Sequence, residues 1–312
     1  IDLCKRRPRP VQLYTPGLLF GVAPADPAPE ACRSVITDSV LAHLVSDVPV
    51  CSMLSGGLDS TIIASIVAGR RDDLATWCAS GVDGGQEIGP DPAEARALAG
   101  ELGTRHHDVH LHASDFMGAW REHVAHLGQP LSTPNEVAIS RLASAVRESG
   151  ARVALSGEGA DELFGGYDAI LSAYATHGRL PAVPIGSARF HLEAAAWVSP
   201  AAQEGLLHGD AAGQSDFVIN AYERAYALSE TQVREGGGKL DAHLQLQRRF
   251  NLNALLERLD GATMRHGIEG RTPFADVEVA RYAESLPMAA KFEDGQAGAA
   301  GSKIILRRAF KG

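Results

Sequence analysis

Two short stretches concentrate the groups that handle phosphates and metal ions. Ser55-Gly56-Gly57-Leu58-Asp59-Ser60 follows the apolar run 48–54 and precedes the helix-like 61–67, so it reads as a tight loop between a buried strand and a helix. Its two glycines let the backbone come close to a ligand, and amides at a helix N-terminus favour an anion. The loop lacks the GK[ST] ending of a Walker A motif, so no lysine cradles the outer phosphates. Asp59 stands there instead. A carboxylate beside phosphates needs a divalent cation between them, and Mg²⁺ with its preference for oxygen ligands fits best. The second stretch, Leu155-Ser156-Gly157-Glu158-Gly159-Ala160-Asp161-Glu162-Leu163-Phe164-Gly165-Gly166-Tyr167, carries three carboxylates and four glycines in thirteen positions. Such an acid cluster has to be solvated, paired or metal-bound. At the carboxyl edge of a parallel sheet it faces the same crevice as the first loop.

Other constellations carry less. His106, Asp108, His110 and His112 would share one face of a strand, but metal ligands usually converge from separate elements. There is no GxSxG elbow and no HExxH helix, and Gly157-x-Gly159 lacks the third glycine of a dinucleotide fingerprint. Arg248-Arg249 and Arg307-Arg308 read as solvated helix faces.

The elements that must position these loops follow from periodicity. A helix is expected from Pro29 onward, with apolar Val35, Ile36, Val40, Leu41 and Leu44 on one face. Buried strands are expected at 48–54, 74–80 and 152–156, and an alternating one at 105–111. Asp91-Pro92-Ala93-Glu94 reads as a helix start with Asp91 as cap, and Thr133-Pro134-Asn135-Glu136 as a capping box opening a helix that ends near Gly150. Alternating strands and helices over 34–166 indicate an α/β fold, a parallel sheet with helices on both faces. After Tyr167 the strand signals vanish. Helices are expected at 190–197, 216–228, 240–264, 277–286 and 303–310, so the organisation reads as a connecting segment 1–33, an α/β core 34–166 and a mostly helical part 167–312. Glycine-rich loops at 236–238 and 296–301 interrupt the latter.

Composition narrows the partners. With 29 Lys+Arg against 38 Asp+Glu, the net charge is −9, which argues against nucleic acid. No apolar run approaches the roughly 20 residues of a membrane span. Four scattered cysteines (Cys4, Cys32, Cys51, Cys78) without CxxC spacing make a reducing cytoplasm the expected compartment. Both ends read as cut edges of something longer.

The first hexapeptide resembles the pyrophosphate-binding loop (PP-loop) of the N-type ATP pyrophosphatase superfamily. The second stretch resembles the asparagine synthetase family, as do Leu256-x-Arg258-x-Asp260-x-x-Thr263-Met264-x-x-Gly267-x-Glu269-x-Arg271-x-Pro273-Phe274-x-Asp276 and Ser302-Lys303-Ile304-Ile305-Leu306-Arg307. Ser46-Asp47-Val48-Pro49 and Gly103-Thr104-x-His106-His107 add to a match spanning about 34–310. The resemblance implies that Ser55, Gly56, Gly57, Asp59 and Ser60 hold ATP phosphates and that Asp59 and Asp161 share Mg²⁺. Leu54, Ala79, Ser156 and Gly157 would line the adenosine pocket. Glu158 would lie near the activated carboxyl, where it positions or deprotonates the incoming amine. Lys303 would neutralise charge as pyrophosphate leaves, after a loop able to fold over the site as a lid. Gly159 and Asn135 would stand near the substrate. Arg271 is open between phosphate ligand and partner of Glu269.

The implied reaction adenylates a carboxylate, aspartate or a related acid, and joins ammonia or an amine to it. The family's N-terminal glutaminase domain is absent from this chain, and Cys4 is not terminal. The nitrogen source is therefore free ammonia, a separate or missing glutaminase, or an amine within the substrate. The aspartate-recognition segment of bacterial relatives is not evident in Gln129-Pro130-Leu131-Ser132-Thr133-Pro134-Asn135-Glu136, which keeps an intramolecular cyclase of the β-lactam synthetase type in view. Tyr167 is the nearest candidate for that enzyme's tyrosine. A catalytically inactive nucleotide-binding subunit is the reading from another class, and a homodimer is an open arrangement.

Overall fold

The computed structural model describes residues 26–131, 133–177, 190, 202, 215–231, 233, 237–295 and 301–311. Chain order is α1 (Pro29–Ala42), β1 (Val50–Met53), α2 (Leu58–Ala68), β2 (Ala75–Asp83), β3 (Gln86–Glu87), α3 (Asp91–Leu102), β4 (Arg105–His112), α4 (Ala113–Leu127), α5 (Asn135–Glu148), β5 (Val153–Leu155), α6 (Ala160–Phe164) and α7 (Asp168–His177). There follow α8 (Ser215–Thr231), α9 (Lys239–Gln247), a π-helical turn (Arg248–Leu252), α10 (Asn253–Met264), β6 (Glu269–Arg271), a 3₁₀ turn (Pro273–Ala275), α11 (Val277–Ser285), α12 (Met288–Lys291) and α13 (Ile304–Ala309).

The sheet runs β3-β2-β1-β5-β6, with β4 on the free side of β2, and every pairing except β2–β3 is parallel. The short apolar runs are continuous because both faces are covered. Val50, Val153 and Leu155 enter a core with Ile36 and Val40 of α1, Ile63 of α2, Phe274, Val279 of α11 and Ile305 of α13. Their neighbours Cys51 and Ala154 enter the opposite core with Trp77 and with Leu142, Ala143 and Val146 of α5. A third cluster joins Leu54 and Cys78 to Ala95 and Ala99 of α3.

The expected α/β architecture is therefore present, with four corrections. A strand does occur after Tyr167: β6 pairs with β5, Leu155 facing Arg271. Glu-Gly-Arg at a sheet edge has none of the apolar character that marks a central strand. A Cβ on Gly270 would come 3.1 Å from Cγ of Leu259 on α10, so a side chain there would need Leu259 to give by a few tenths of an ångström. Asp91 is not a cap. It is the first residue of α3 after Pro90, and its side chain makes no capping bond. Glu136 does reach back to the Thr133 amide at 3.3 Å, but Thr133 offers its hydroxyl to Arg258 instead of closing the box. The helix expected over 240–264 is α9 and α10 joined through the π turn. The stretch 190–197 apart from Phe190, and the loop 296–300, lie outside the described residues. No helix among the described residues is long and apolar enough to cross a membrane.

Candidate active site

β1 and β5 are parallel neighbours, Ser52 opposite Leu155, so the loops that leave their carboxyl ends emerge side by side. The first loop is tied to itself. Ser55 N donates to Ser60 Oγ at 3.2 Å, the two hydroxyls are 3.1 Å apart, and Ser60 Oγ donates to Gly57 O at 3.1 Å. Gly56 takes φ +79°, and a Cβ there would come 2.7 Å from Cβ of Glu94 on α3. The Leu54 amide donates to Trp77 O at 2.8 Å, which holds the loop's root to β2.

The two loops touch. A Cβ on Gly157 would lie 2.9 Å from Cβ of Asp59, so the second loop passes the first at backbone contact. Beyond it, Gly159 at φ +101° turns the chain into α6, whose first turn presents Asp161. Lys303, the residue before α13, reaches in between. Its Nζ is 2.5 Å from Asp59 Oδ2 and 2.8 Å from Asp161 Oδ1. Three segments far apart in the chain thus place two carboxylates and an ammonium at one point. Lys303 adopts φ 50°, the one non-glycine residue with positive φ among those described. Left-handed backbone at a long side chain is strained, and such strain tends to mark a functional constraint.

Burial raises the Asp59 carboxyl to about 6, with Lys303 opposing the rise and Asp161 adding to it. Burial also works against the charge on Lys303, but the two carboxylates outweigh it and hold the ammonium's pKa above its usual range. Asp59 Oδ1 is buried without a hydrogen-bond partner. An unused carboxylate oxygen, a second carboxylate within reach of the same point and a glycine cradle suit a hard divalent cation bridged to phosphate.

The Glu158 carboxylate is held by Arg258 of α10, whose Nη2 donates to Oε1 at 2.5 Å. Burial raises the Glu158 pKa, and Arg258 counters part of that. Arg258 was not assigned a role from sequence, although it stands inside the matched motif. Asn135 is exposed at the start of α5. Arg271 has a structural use. It donates to Glu269 at 2.8 Å and to the carbonyls of His43 and Val45 at 2.7 and 2.8 Å, anchoring the chain that follows α1. In the histidine strand, His106 and His110 bond Thr76 and Ser80 of β2 at 3.0 Å, and Arg96 bridges Glu87 and Asp108.

Next to Asp161 in the chain, buried Glu162 forms a trio with the half-buried Tyr167 and Asn251 that sequence reading missed. Tyr167 donates to Glu162 Oε1 at 2.5 Å, and Asn251 Nδ2 reaches both groups at 3.0 Å. Asn251 arrives there on the π turn, a feature that often re-aims a side chain at a functional site. Tyr167 is thereby committed to the frame of the second loop. Burial pushes Glu162 up to about 7, against the opposing hydrogen bond from Tyr167. A raised carboxyl pKa means that the native state holds the proton more tightly than the unfolded chain. This contribution to stability is full below about 4.5 and is lost as pH rises through about 7. Between pH 4.5 and 8, the wild type is expected to lose on the order of 3 kcal/mol more unfolding free energy than Glu162→Gln, as read by urea titration at both pH values.

A family model described as asparagine synthase matches residues 31–312. The chain belongs to the asparagine synthase family. The glutamine-hydrolyzing asparagine synthetase 3 of Bacillus subtilis (strain 168) is 30% identical over 299 residues, covering 90% of this chain and 45% of that protein. Asparagine synthetase 1 of the same organism is 29% identical over 304 residues, 90% of this chain and 46% of that one. Asparagine synthetase B of Escherichia coli (strain K12) is 36% identical over 154 residues, 43% and 26% of the two chains. The chain spans about half the length of the two Bacillus relatives. The asparagine synthase match takes in both glycine-rich loops, Arg258 and Lys303.

Proposed function

We propose that this chain is an ATP-dependent amide-forming synthetase that adenylates a carboxylate and transfers ammonia or an amine to it. The observation that carries the reading is the meeting of Asp59, Asp161 and Lys303 at one point beside the glycine loop. A carboxylate is a poor acyl donor because oxide would have to leave. Attack of its oxygen on the α-phosphorus of ATP breaks the bond to the β-phosphate oxygen, pyrophosphate departs, and AMP becomes the leaving group on the acyl carbon. The amine nitrogen then attacks that carbon, AMP leaves, and the amine gives up a proton.

In this reading the amides and hydroxyls of residues 55–60 bind phosphate oxygens. Leu54, Ala79, Ser156 and Gly157 border the nucleoside. Asp59 and Asp161 would hold Mg²⁺, which neutralises phosphate charge when bound. Lys303 turns from its carboxylate partners toward the departing pyrophosphate, where positive charge matters most in the transition state. Glu158 orients the incoming amine. The acyl substrate is aspartate or a related acid, and the nitrogen comes as ammonia from solution or from a glutaminase. Among its relatives, those named here are described as hydrolysing glutamine.

The test is pyrophosphate release from ATP and Mg²⁺ with a panel of carboxylates led by aspartate, with and without ammonium chloride. Carboxylate-dependent release together with an ammonium-dependent amide supports the proposal. ATP binding with no release for any panel member would leave a nucleotide-binding subunit as the better reading.

A further inference from the structure

A buried line of polar side chains leads away from Glu158. Arg258, which holds Glu158 through Nη2, donates through Nη1 to Thr133 Oγ1 at 3.2 Å. The Thr133 amide donates to Glu136 Oε1 at 3.3 Å. The other oxygen of Glu136 faces Nε2 of His123 at 3.6 Å. His123 on α4 is 0% exposed and Glu136 on α5 is 3% exposed. Arg265, just past α10, lies with Nη1 3.3 Å from His123 Nδ1. A guanidinium can only donate, so Nδ1 accepts and the ring proton sits on Nε2, directed at Glu136. One turn further along α5, Ser140 Oγ meets His266 Nε2 at 2.9 Å. Three helices are thus linked through polar side chains.

Burying a carboxylate against a histidine is a costly way to hold two helices together. Apolar residues of similar volume generally pack there at no loss of stability. The polar line also has a direction. It starts at the solvent-side pair Arg265–Glu122 and ends on the one carboxylate that the proposed function assigns to the amine.

Building on that assignment of Glu158, we propose that Glu136 and His123 are positioning residues. They fix Thr133, and through Thr133 and Arg258 they set where the Glu158 carboxylate stands during amide formation. Neither touches the reacting atoms.

The test separates the two half-reactions, using the carboxylate from the panel that gives the most pyrophosphate release. Adenylation is read as ATP–pyrophosphate exchange, and amide formation as product with ammonium chloride. Glu136→Ala and Arg258→Met are each expected to lower amide formation roughly tenfold while exchange stays within about twofold. The double variant should be no worse than Arg258→Met alone, because both act along one line. Glu136→Gln, whose Oε1 still accepts from Thr133, should recover most of the rate and serves where the alanine variant folds poorly. Additive losses, or exchange and amide formation falling together, would overturn the positioning role. So would an unchanged Glu136→Ala beside a Glu158→Gln that loses amide formation. A Glu158→Gln that keeps full amide formation overturns the parent assignment instead, and so does a panel in which no carboxylate reacts.

Discussion

Lys303→Met should lower turnover by about 10²–10³-fold, the effect expected when one preorganised charge is removed from a developing anion. Methionine keeps an unbranched apolar stem in the same buried channel, so the change isolates the ammonium. Two acids then face each other across a buried cleft with no cation between them. The Asp59 carboxyl, already raised to about 6 with Lys303 opposing the rise, should climb further. Removing one partner from a buried ion pair costs about 3–5 kcal/mol while the other partner remains charged. The loss should therefore be large at pH 8 and small at pH 5, where Asp59 takes up a proton instead. Urea midpoints at both pH values check this. Mg²⁺ should raise the midpoint of Lys303→Met at pH 8 more than that of the wild type, since the cation no longer competes with an ammonium for the two acids. Equal responses to Mg²⁺ would contradict a shared metal site.

Gly166→Ala is expected to cost at least about 10²-fold in kcat/KM with the fold retained, because a displaced catalytic group loses rate steeply with distance. A methyl at this position would fall on the Asp161 carboxylate oxygen and on Cε of Lys303, and 2.7 Å from Asp161 Cγ. Those atoms are the ends of side chains, so they can move aside, but only by leaving the point where they meet. Gly166 is not among the residues with positive φ, so alanine meets no backbone penalty there. Gly118→Ala on α4 is the control. Its Cβ would meet nothing within 4 Å, and activity should hold within a few-fold. Steady-state kinetics and far-ultraviolet circular dichroism on both variants decide the matter. Similar losses at both positions would show that the effect of Gly166→Ala does not come from displacing Asp161 and Lys303.

The loops were legible because their residue types are costly anywhere else. Paired glycines beside a carboxylate at the end of an apolar run have few structural uses, and the sequence order of strand, loop and helix placed them at one sheet edge. Val50 and Leu155 announce buried strands by composition alone. Glu269 to Arg271 does not, since three polar residues become a strand only when β5 supplies the ladder. Lys303 could be singled out only by its motif, because its left-handed backbone and its reach across 244 positions to Asp59 are tertiary facts. The Glu162–Tyr167–Asn251 trio was invisible for a related reason. Nothing in a linear pattern says that a helix will widen by one residue per turn and swing an amide under a distant loop. For Arg271 the two uses were balanced in the sequence, and the carbonyls of His43 and Val45 tip it toward architecture.

The lysine bridge also has a bearing on how the molecule matures. Asp59 and Asp161 emerge from the ribosome well before Lys303, and until α13 docks beside α1 they lack the ammonium that pairs with both. A nascent polypeptide at that stage can pair its strands β1, β2, β4 and β5, yet it exposes an anionic notch open to divalent ions. On the proposed function, nucleotide turnover needs Lys303 in place between the two acids, so it would report that α13 has docked.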